Sequence, residues 1–155
     1  MFREMRLKEC ELPEGEAIEI LKNGSYGVLA LDGDDGYSYA VPVNYAYEDN
    51  KIIFHGANEG HKFDSIKKND KVSFCVVEKD EVIAAEFNTM YRSVIAFGKI
   101  RVLEKDKERY DGLEALVRRF SADYTEKAKA YIKNDWMNVT VFEIEIELMT
   151  GKKGV

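Results

Sequence analysis

Several features are scarce in this sequence of 155 residues, and each scarcity excludes a class of protein. The chain has only two prolines and 11 glycines, too few for a collagen-like or proline-rich low-complexity protein. No apolar run approaches the roughly 20 residues that a membrane-spanning helix needs. Lys and Arg number 23 against 29 Asp and Glu, and the net charge of -6 argues against nonspecific nucleic-acid binding, which depends on basic surface.

Cysteine is also scarce, since Cys10 and Cys75 are the only two. The first ten residues, MFREMRLKEC, carry too many charges for the apolar core of a signal peptide. Two free thiols are therefore favoured over a disulfide, and we expect a cytoplasmic protein without a membrane partner. The 45% hydrophobic and 12% aromatic content is enough for a folded core, and the length predicts a single domain spanning 1–155.

The order of the predicted elements indicates a mainly β protein with peripheral helices. Apolar runs and alternation, bounded by turn sequences, predict six strands over 25–31, 37–47, 51–57, 72–77, 91–103 and 142–148. Helices are predicted over 13–22, 58–69, 108–121 and 126–132. The first three strands are expected to form an antiparallel meander. Because helices interrupt hairpin-linked strands rather than alternating with them, the pattern favours a small antiparallel barrel over a doubly wound parallel sheet.

Two features of the predicted strands allow more specific predictions. Gly98 lies inside a strand, which suggests a β-bulge or a close approach of another backbone. Glu143, Glu145 and Glu147 alternate with apolar residues of the last strand, and this acidic row is interpreted as a solvated strand face.

The densest polar cluster is the strand-to-helix junction FHGANEGHK at 54–62, which contains both histidines of the protein. Asn58 is a good N-cap, so the amides of Glu59, Gly60 and His61 should point freely from the start of the helix. Free amides, the helix dipole and the charge of Lys62 together predict an anion site suited to a phosphate. The alternative is an ordinary capped helix with a solvated lysine.

Other polar residues support less specific hypotheses. His55 is either a half-buried structural histidine or a ligand contact that supplies protons near neutral pH. The two histidines have no third residue at a metal-ligand spacing, so no metal site is predicted. Arg92 and Ser93 are either an exposed strand end or a second set of phosphate donors.

The order and spacing of several segments resemble the nitroimidazole-resistance branch of the pyridoxamine 5′-phosphate oxidase-like flavoproteins, which are FMN-binding split β-barrels of six antiparallel strands. The resemblance runs over most of the chain. It is carried by YGVLAL at 26–31, YAVPVNY at 39–45, IFHGA at 53–57, GHK at 60–62, KVSF at 71–74, YRSVIAFGK at 91–99 and TGK at 150–152.

This resemblance implies a homodimer with two FMN sites at the subunit interface. The FMN phosphate would meet Gly60, His61 and Lys62, where the family commonly has Arg or Lys in place of His61. The isoalloxazine ring would lie along the strand made by Val41, Pro42, Val43, Asn44 and Tyr45. The ring would be flanked by four further residues, His55, Ala57, Tyr91 and Ser93.

The function implied is that of an FMN-dependent oxidoreductase that reduces a nitro group, with NAD(P)H or another reductant as electron donor and His55 as the candidate catalytic residue. One alternative is a pyridoxamine 5′-phosphate oxidase-type enzyme, which is disfavoured because few basic residues besides Lys62 and Arg92 are available for a substrate phosphate. Another is a flavin- or haem-binding module with a sensing or storage role and no turnover. A β-barrel dimer without a cofactor is the third.

Overall fold

The computed structural model describes residues 1–154 of the chain. Its eight strands are β1 (Glu11–Leu12), β2 (Tyr26–Asp32), β3 (Ser38–Asn44), β4 (Ala46–Glu48), β5 (Lys51–Ala57), β6 (Lys71–Ile83), β7 (Asn88–Val102) and β8 (Val139–Lys153). The α-helices of this part of the chain are α1 (Glu14–Asn23), α2 (His61–Lys68), α3 (Asp106–Phe120) and α4 (Thr125–Asp135).

All pairings in the sheet are antiparallel, and the strands follow the order β3-β2-β6-β7-β8-β5-β4, with the short β1 added to β8. The two ends of this path, β3 and β4, are consecutive in the chain and are joined by the single residue Tyr45. The sheet therefore curls until its ends meet at one bend without being closed by a ladder. Its six long strands are those of the predicted split barrel, and β1 and β4 are short additions.

The predicted meander of the first three strands is wrong in one respect. The strand expected over 37–47 is two strands, because the chain bends at Tyr45. Its first part pairs with β2 and its second part with β5, at opposite ends of the sheet. The cause is the burial of Tyr45, whose hydroxyl donates a hydrogen bond of 2.6 Å to the carbonyl of Leu21 in α1.

The main core lies inside the curled sheet. It is filled by large side chains from the inner face and by α1, among them Leu29, Phe54, Phe74, Phe142, Ile144, Ile20 and Leu21. Each such side chain stabilises the fold by about 1.5–3 kcal/mol through its removal from water. A second cluster on the outer face joins α3 and α4 to β5 and β8 through Leu113, Leu116, Ile132, Ile53 and Val141.

Gly98 does mark a β-bulge. The register of β7 with β8 shifts between Phe97 and Gly98, and a side chain at Gly98 would collide with the carbonyl oxygen of Glu145. The close approach is thus made by the neighbouring strand.

The interpretation of the acidic row is wrong for Glu143, which is only 7% exposed. Its carboxylate lies 3.1 Å from Arg101 and 3.5 Å from Lys51. Because α3 packs over this part of β8, Glu143 is covered while Glu145 and Glu147 remain exposed. Burial of a carboxylate is tolerated here because two cations flank it.

Strands β6 and β7 are longer than predicted and form a hairpin whose outer part includes the polar residues 78–81. Those residues do not alternate in hydrophobicity, so the sequence pattern ends before the strand does. Cys10 and Cys75 are free thiols, as expected. Within 1–154, the helices are too short or too polar to cross a membrane.

Candidate functional site

The start of α2 differs from the prediction in its capping residue. Asn58 is not the N-cap, because its side chain is hydrogen-bonded at the start of β8. It donates to the carbonyl of Met137, just before the strand, and accepts from the hydroxyl of Thr140. The helix begins three residues later, with Gly60 as N-cap at φ 120° and ψ 173°. Only glycine adopts this conformation without strain. The free amides are consequently those of the first turn, beginning at His61.

Lys62 is the most unusual cation of the site. Its side chain is half-buried, and its Nζ lies 5.4 Å from the ring centre of Phe54 and 5.6 Å from that of Phe142. Within the described residues it makes no hydrogen bond, and no carboxylate lies within 4 Å of it. Burial lowers the pKa of Lys62. An ammonium group that is partly desolvated and has no counterion is a receptor for an anion.

His61 joins α2 to the β2–β3 hairpin. Its ring stacks on Tyr39 of β3 with 4.1 Å between ring centres, and its Nε2 lies 3.6 Å from a carboxylate oxygen of Asp34. Asp34 also accepts a hydrogen bond of 2.7 Å from Lys68. The predicted segments 39–45 and 60–62 are therefore brought side by side, as a shared site requires.

Strand β3 ends the path of the sheet, so one side of its backbone pairs with no other strand among residues 1–154. Val41 and Val43 pack against the core, whereas Pro42 and Asn44 are exposed. Proline is tolerated at such an edge because the ladder does not need its missing donor. Tyr45, the last residue of the predicted segment, is fully buried, so in this structure neither its side chain nor its backbone is exposed to a ligand.

His55 lies on the outer face of β5, and Ala57 is exposed at the end of the same strand. Burial lowers the pKa of His55, the positive charge of Lys62 lowers it further, and Asp135 opposes both effects. The imidazole is thus neutral at pH 7. It can accept a proton or hold a hydrogen bond to a ligand above it.

The segment Tyr91-Arg92-Ser93 is not brought next to His55 or Lys62, although the ladders place Ser93 level with Asn44, three strands away across the sheet. Phe54 of β5 and Val102 of β7 both pair with Phe142 of β8, so these two residues lie at the same height in the sheet. Ser93 is nine positions away from Val102, or about 30 Å along the strand at roughly 3.3 Å per residue.

Arg92 is also already paired. Its Nε donates a hydrogen bond of 2.6 Å to Glu78, and its Nη1 donates one of 2.9 Å to Glu16. Both carboxylates raise the pKa of Arg92. The charge available to a phosphate at this position is correspondingly small.

A groove of about 700 Å³ adjoins the site, and sequence reasoning did not find it. It lies between α3, α4 and the outer face of the sheet, with Asn44 and His55 in its wall. Phe120 belongs to the apolar stripe that predicted α3, yet it is 43% exposed and faces this groove with Tyr124 and Tyr131. The available signal was the presence of two tyrosines seven residues apart, Tyr124 just before α4 and Tyr131 on it.

Within the described part of the chain, no three His, Cys, Asp or Glu side chains lie close enough together to hold a metal ion.

The fold is similar to several solved structures. The structure of a candidate 5-nitroimidazole antibiotic resistance protein from Bacteroides thetaiotaomicron has a TM-score of 0.77 at 21% identity, covering 93% of this chain and 86% of that one. An FAD-binding protein from Mesorhizobium loti has a TM-score of 0.68 at 21% identity, with 94% and 97% covered. An FAD and heme binding protein from Mycobacterium smegmatis has a TM-score of 0.78 at 20% identity, with 92% and 71% covered.

These identities are low enough that the likenesses establish the split-barrel fold alone. No curated protein sequence matches the chain. The sequence model described as pyridoxamine 5′-phosphate oxidase matches residues 13–153, nearly the whole chain. The chain therefore belongs to the pyridoxamine 5′-phosphate oxidase family.

Proposed function

We propose that this protein binds FMN and uses it to reduce a small nitro-aromatic compound. The observation that carries the proposal is Lys62, a half-buried cation without a counterion at the start of α2, beside the open edge of β3. Membership of the family and the similarity to flavin-binding proteins support the same cofactor class.

The start of α2 fits a phosphate in three ways. The first-turn amides have no side-chain cap, and the helix dipole favours negative charge there. Nothing lies within 4 Å of the position that a side chain at Gly60 would occupy, so a ligand can approach the backbone. Lys62 supplies the positive charge, and His61 is held against Tyr39 at the side of the same site.

The isoalloxazine ring would lie along β3. Unpaired backbone groups between Val41 and Asn44 would meet its polar edge, since an edge strand offers its free N–H and C=O groups to a ligand. His55 and Ala57 would flank the ring from β5. When bound, FMN supplies the two-electron transfer, and the protein contributes binding, orientation and electrostatics.

A homodimer would complete the site. The outer face of β2, β6, β7 and β8 carries two rows of small or apolar residues, Val28, Cys75, Ile95 and Thr150 in one row and Ala30, Ser73, Phe97 and Leu148 in the other. Among residues 1–154 Phe2 packs on Phe97 in the second row, whereas α3 covers the outer face of β8 further along, at Glu143. A second copy seated there would bring its own Tyr91, Arg92 and Ser93 to the FMN.

In the proposed reaction, His55 holds and delivers a proton to the nitro oxygen or contacts the substrate. Reduction of a nitro group to an amine consumes six electrons and six protons and releases two waters, so three NAD(P)H and three further protons balance it. The neutral imidazole must gain a proton before each delivery, which water at the mouth of the groove can supply.

A second candidate is a flavin- or haem-binding module without turnover. It is favoured by the likeness to an FAD and heme binding protein and to a flavocytochrome from Azotobacter vinelandii, the latter with a TM-score of 0.77 at 15% identity. A pyridoxamine 5′-phosphate oxidase-type reaction is less well supported, since Arg92 is neutralised by two carboxylates and leaves Lys62 without a second cation for a substrate phosphate.

The test begins with the visible spectrum of the purified protein, in which bound oxidised flavin should absorb at about 370 and 450 nm. Chromatography of the released cofactor separates FMN from FAD. Anaerobic reduction by NAD(P)H and reoxidation by a nitro compound then test turnover, and His55→Ala should lower it by about 10²–10⁴-fold with normal flavin content. Protein that stays colourless with added FMN would overturn the proposal, and bound flavin that a nitro compound never reoxidises would favour the module.

A further inference from the structure

The groove between α3, α4 and the sheet, called here the helical groove, has the dimensions of a small-molecule site. Its volume of about 700 Å³ falls within the roughly 300–1,000 Å³ typical of ligand pockets. One wall is formed by the outer face of the sheet at His55 and Val139, and the other by α3 and α4. The groove thus opens directly onto the strand that carries His55.

Three aromatic side chains around the helical groove are left exposed. Phe120 is 43% exposed, Tyr124 64% and Tyr131 69%, although apolar neighbours such as Leu116 and Ile132 lie within the same groove. Aromatic rings that face a cavity offer flat surfaces for offset or edge-to-face contact with another ring. A flat aromatic ligand would use surface that the fold does not bury.

The charges of the lining favour an uncharged ligand. Within the described residues, Lys127 and Asp135 are the charged side chains in the wall, and they have opposite signs. Asn44, Ser121 and His55 add polar groups that can orient a dipole without attracting net charge. A phosphorylated or carboxylated substrate would meet no excess of cations here.

We propose that the helical groove binds the flat, uncharged heteroaromatic ring of the compound that the protein reduces, with Phe120, Tyr124 and Tyr131 determining its specificity. This inference rests on the proposed function, because it takes His55 to lie between the flavin and the groove. Most of the groove wall comes from α3 and α4, whereas the cofactor would be held by α2 and β3, and the two sites would meet at Asn44 and His55. The ligand is oriented by Asn44 and His55 at the inner end.

The experiment compares two substitutions on α4. Ala128 lines the helical groove, and Ala130 is exposed on the same helix outside it. We expect Ala128→Phe to fill the groove and raise the Kd for the probe, uncharged 5-nitroimidazole, at least tenfold in an NMR titration of the purified protein. Ala130→Phe should leave this Kd unchanged, and both variants should keep the wild-type Kd for FMN in a separate titration of flavin absorbance.

A second pair guards against a variant that does not fold. Tyr131→Ala removes a ring from the groove and should raise the Kd for the probe. Tyr37→Ala removes a similarly exposed ring, 79% accessible, that does not line the groove, and it should leave this Kd unchanged. Equal probe binding by all four variants and the wild type would overturn the inference. So would a loss of FMN binding in Ala128→Phe, since the groove would then hold the flavin itself. Probe binding that obeys the prediction in a protein unable to bind FMN would instead overturn the proposed function.

Discussion

Lys62 and Arg92 were both candidates for phosphate binding in the sequence, and the structure gives them opposite surroundings. Lys62 is half-buried against Phe54 and Phe142 and has no carboxylate within 4 Å in the described part of the chain. Arg92 donates hydrogen bonds to Glu78 and Glu16. One cation has lost water without gaining a counterion, and the other has gained two.

This difference decides which of the two can bind an anion tightly. An anion that meets Lys62 gains a charged hydrogen bond in partly desolvated surroundings, where it is strong. An anion that meets Arg92 must compete with two carboxylates. A basic residue in a sequence is therefore a candidate for phosphate binding only until its acidic neighbours in space are known.

For the comparison of these two cations, the largest expected effect is that of Lys62→Ala on flavin binding. We expect FMN binding to weaken by about 1–3 kcal/mol, since a charged hydrogen bond to phosphate disappears. Titration of apoprotein with FMN, followed by flavin absorbance or fluorescence, measures it. Lys67→Ala is the matched control on the same helix, because Lys67 is exposed and lies over Phe63. If the two variants bind FMN equally well, Lys62 is not part of the site.

A smaller effect is expected from Arg92→Ala. Its two ion pairs are partly exposed, and pairs at the protein surface contribute about 0–1 kcal/mol, so both stability and FMN affinity should change by less than about 1 kcal/mol. The double variant Glu16→Gln/Glu78→Gln releases the guanidinium and sharpens the comparison. Tighter FMN binding in that variant would place Arg92 at the phosphate or close to it, whereas a large loss in Arg92→Ala alone would contradict the contrast with Lys62.

The smallest effect concerns the titration of His55. Its pKa should lie below the ordinary value of 6.5, because burial and the charge of Lys62 both disfavour the imidazolium. Lys62→Met should raise that pKa, as followed by the ring C–H signals in NMR, with His61→Gln used to assign them. An unchanged pKa would mean that burial alone sets it.

The same shift has a consequence for stability. Between the lowered pKa and 6.5 the unfolded chain binds a proton at His55 that the native protein does not, so this residue makes the native state less stable as pH falls below about 6.5. His55→Gln should remove that part of the pH dependence in denaturant unfolding. A steeper dependence in the variant would contradict the sign.

Much of the fold could be predicted because local patterns agree with the final sheet. Strand β5 and helix α1 were placed to within a residue or two, since apolar periodicity, turn residues and Gly24 after the helix all pointed the same way. The bend at Tyr45 could not be predicted. Its alternation with Val43 and Tyr47 is that of a continuous strand, and only the contact of its hydroxyl with Leu21 in α1 separates β3 from β4.

The candidate site shows the same division. Gly60, His61 and Lys62 were predicted from the strand-to-helix junction and from the family resemblance. The helix nevertheless begins at His61, because Asn58 is bound to Met137 and Thr140, both about 80 positions later. The burial of Glu143 likewise depends on α3 and on Arg101. The partners of Asn58 and Glu143 lie far away in the sequence, so a pattern of neighbouring residues cannot predict them.

The sequence by itself determined the antiparallel class of the fold, the positions of most strands and helices, the family, and the residues of the proposed anion site. Hydrophobic periodicity, glycine and capping chemistry act over a few residues, so they are readable in order along the chain. The tertiary structure alone decided which cation is free, how the ends of the sheet meet at Tyr45, and that α3 and α4 leave a groove beside His55. Those properties depend on charges and packing between residues far apart in the chain, which only the folded protein brings into contact.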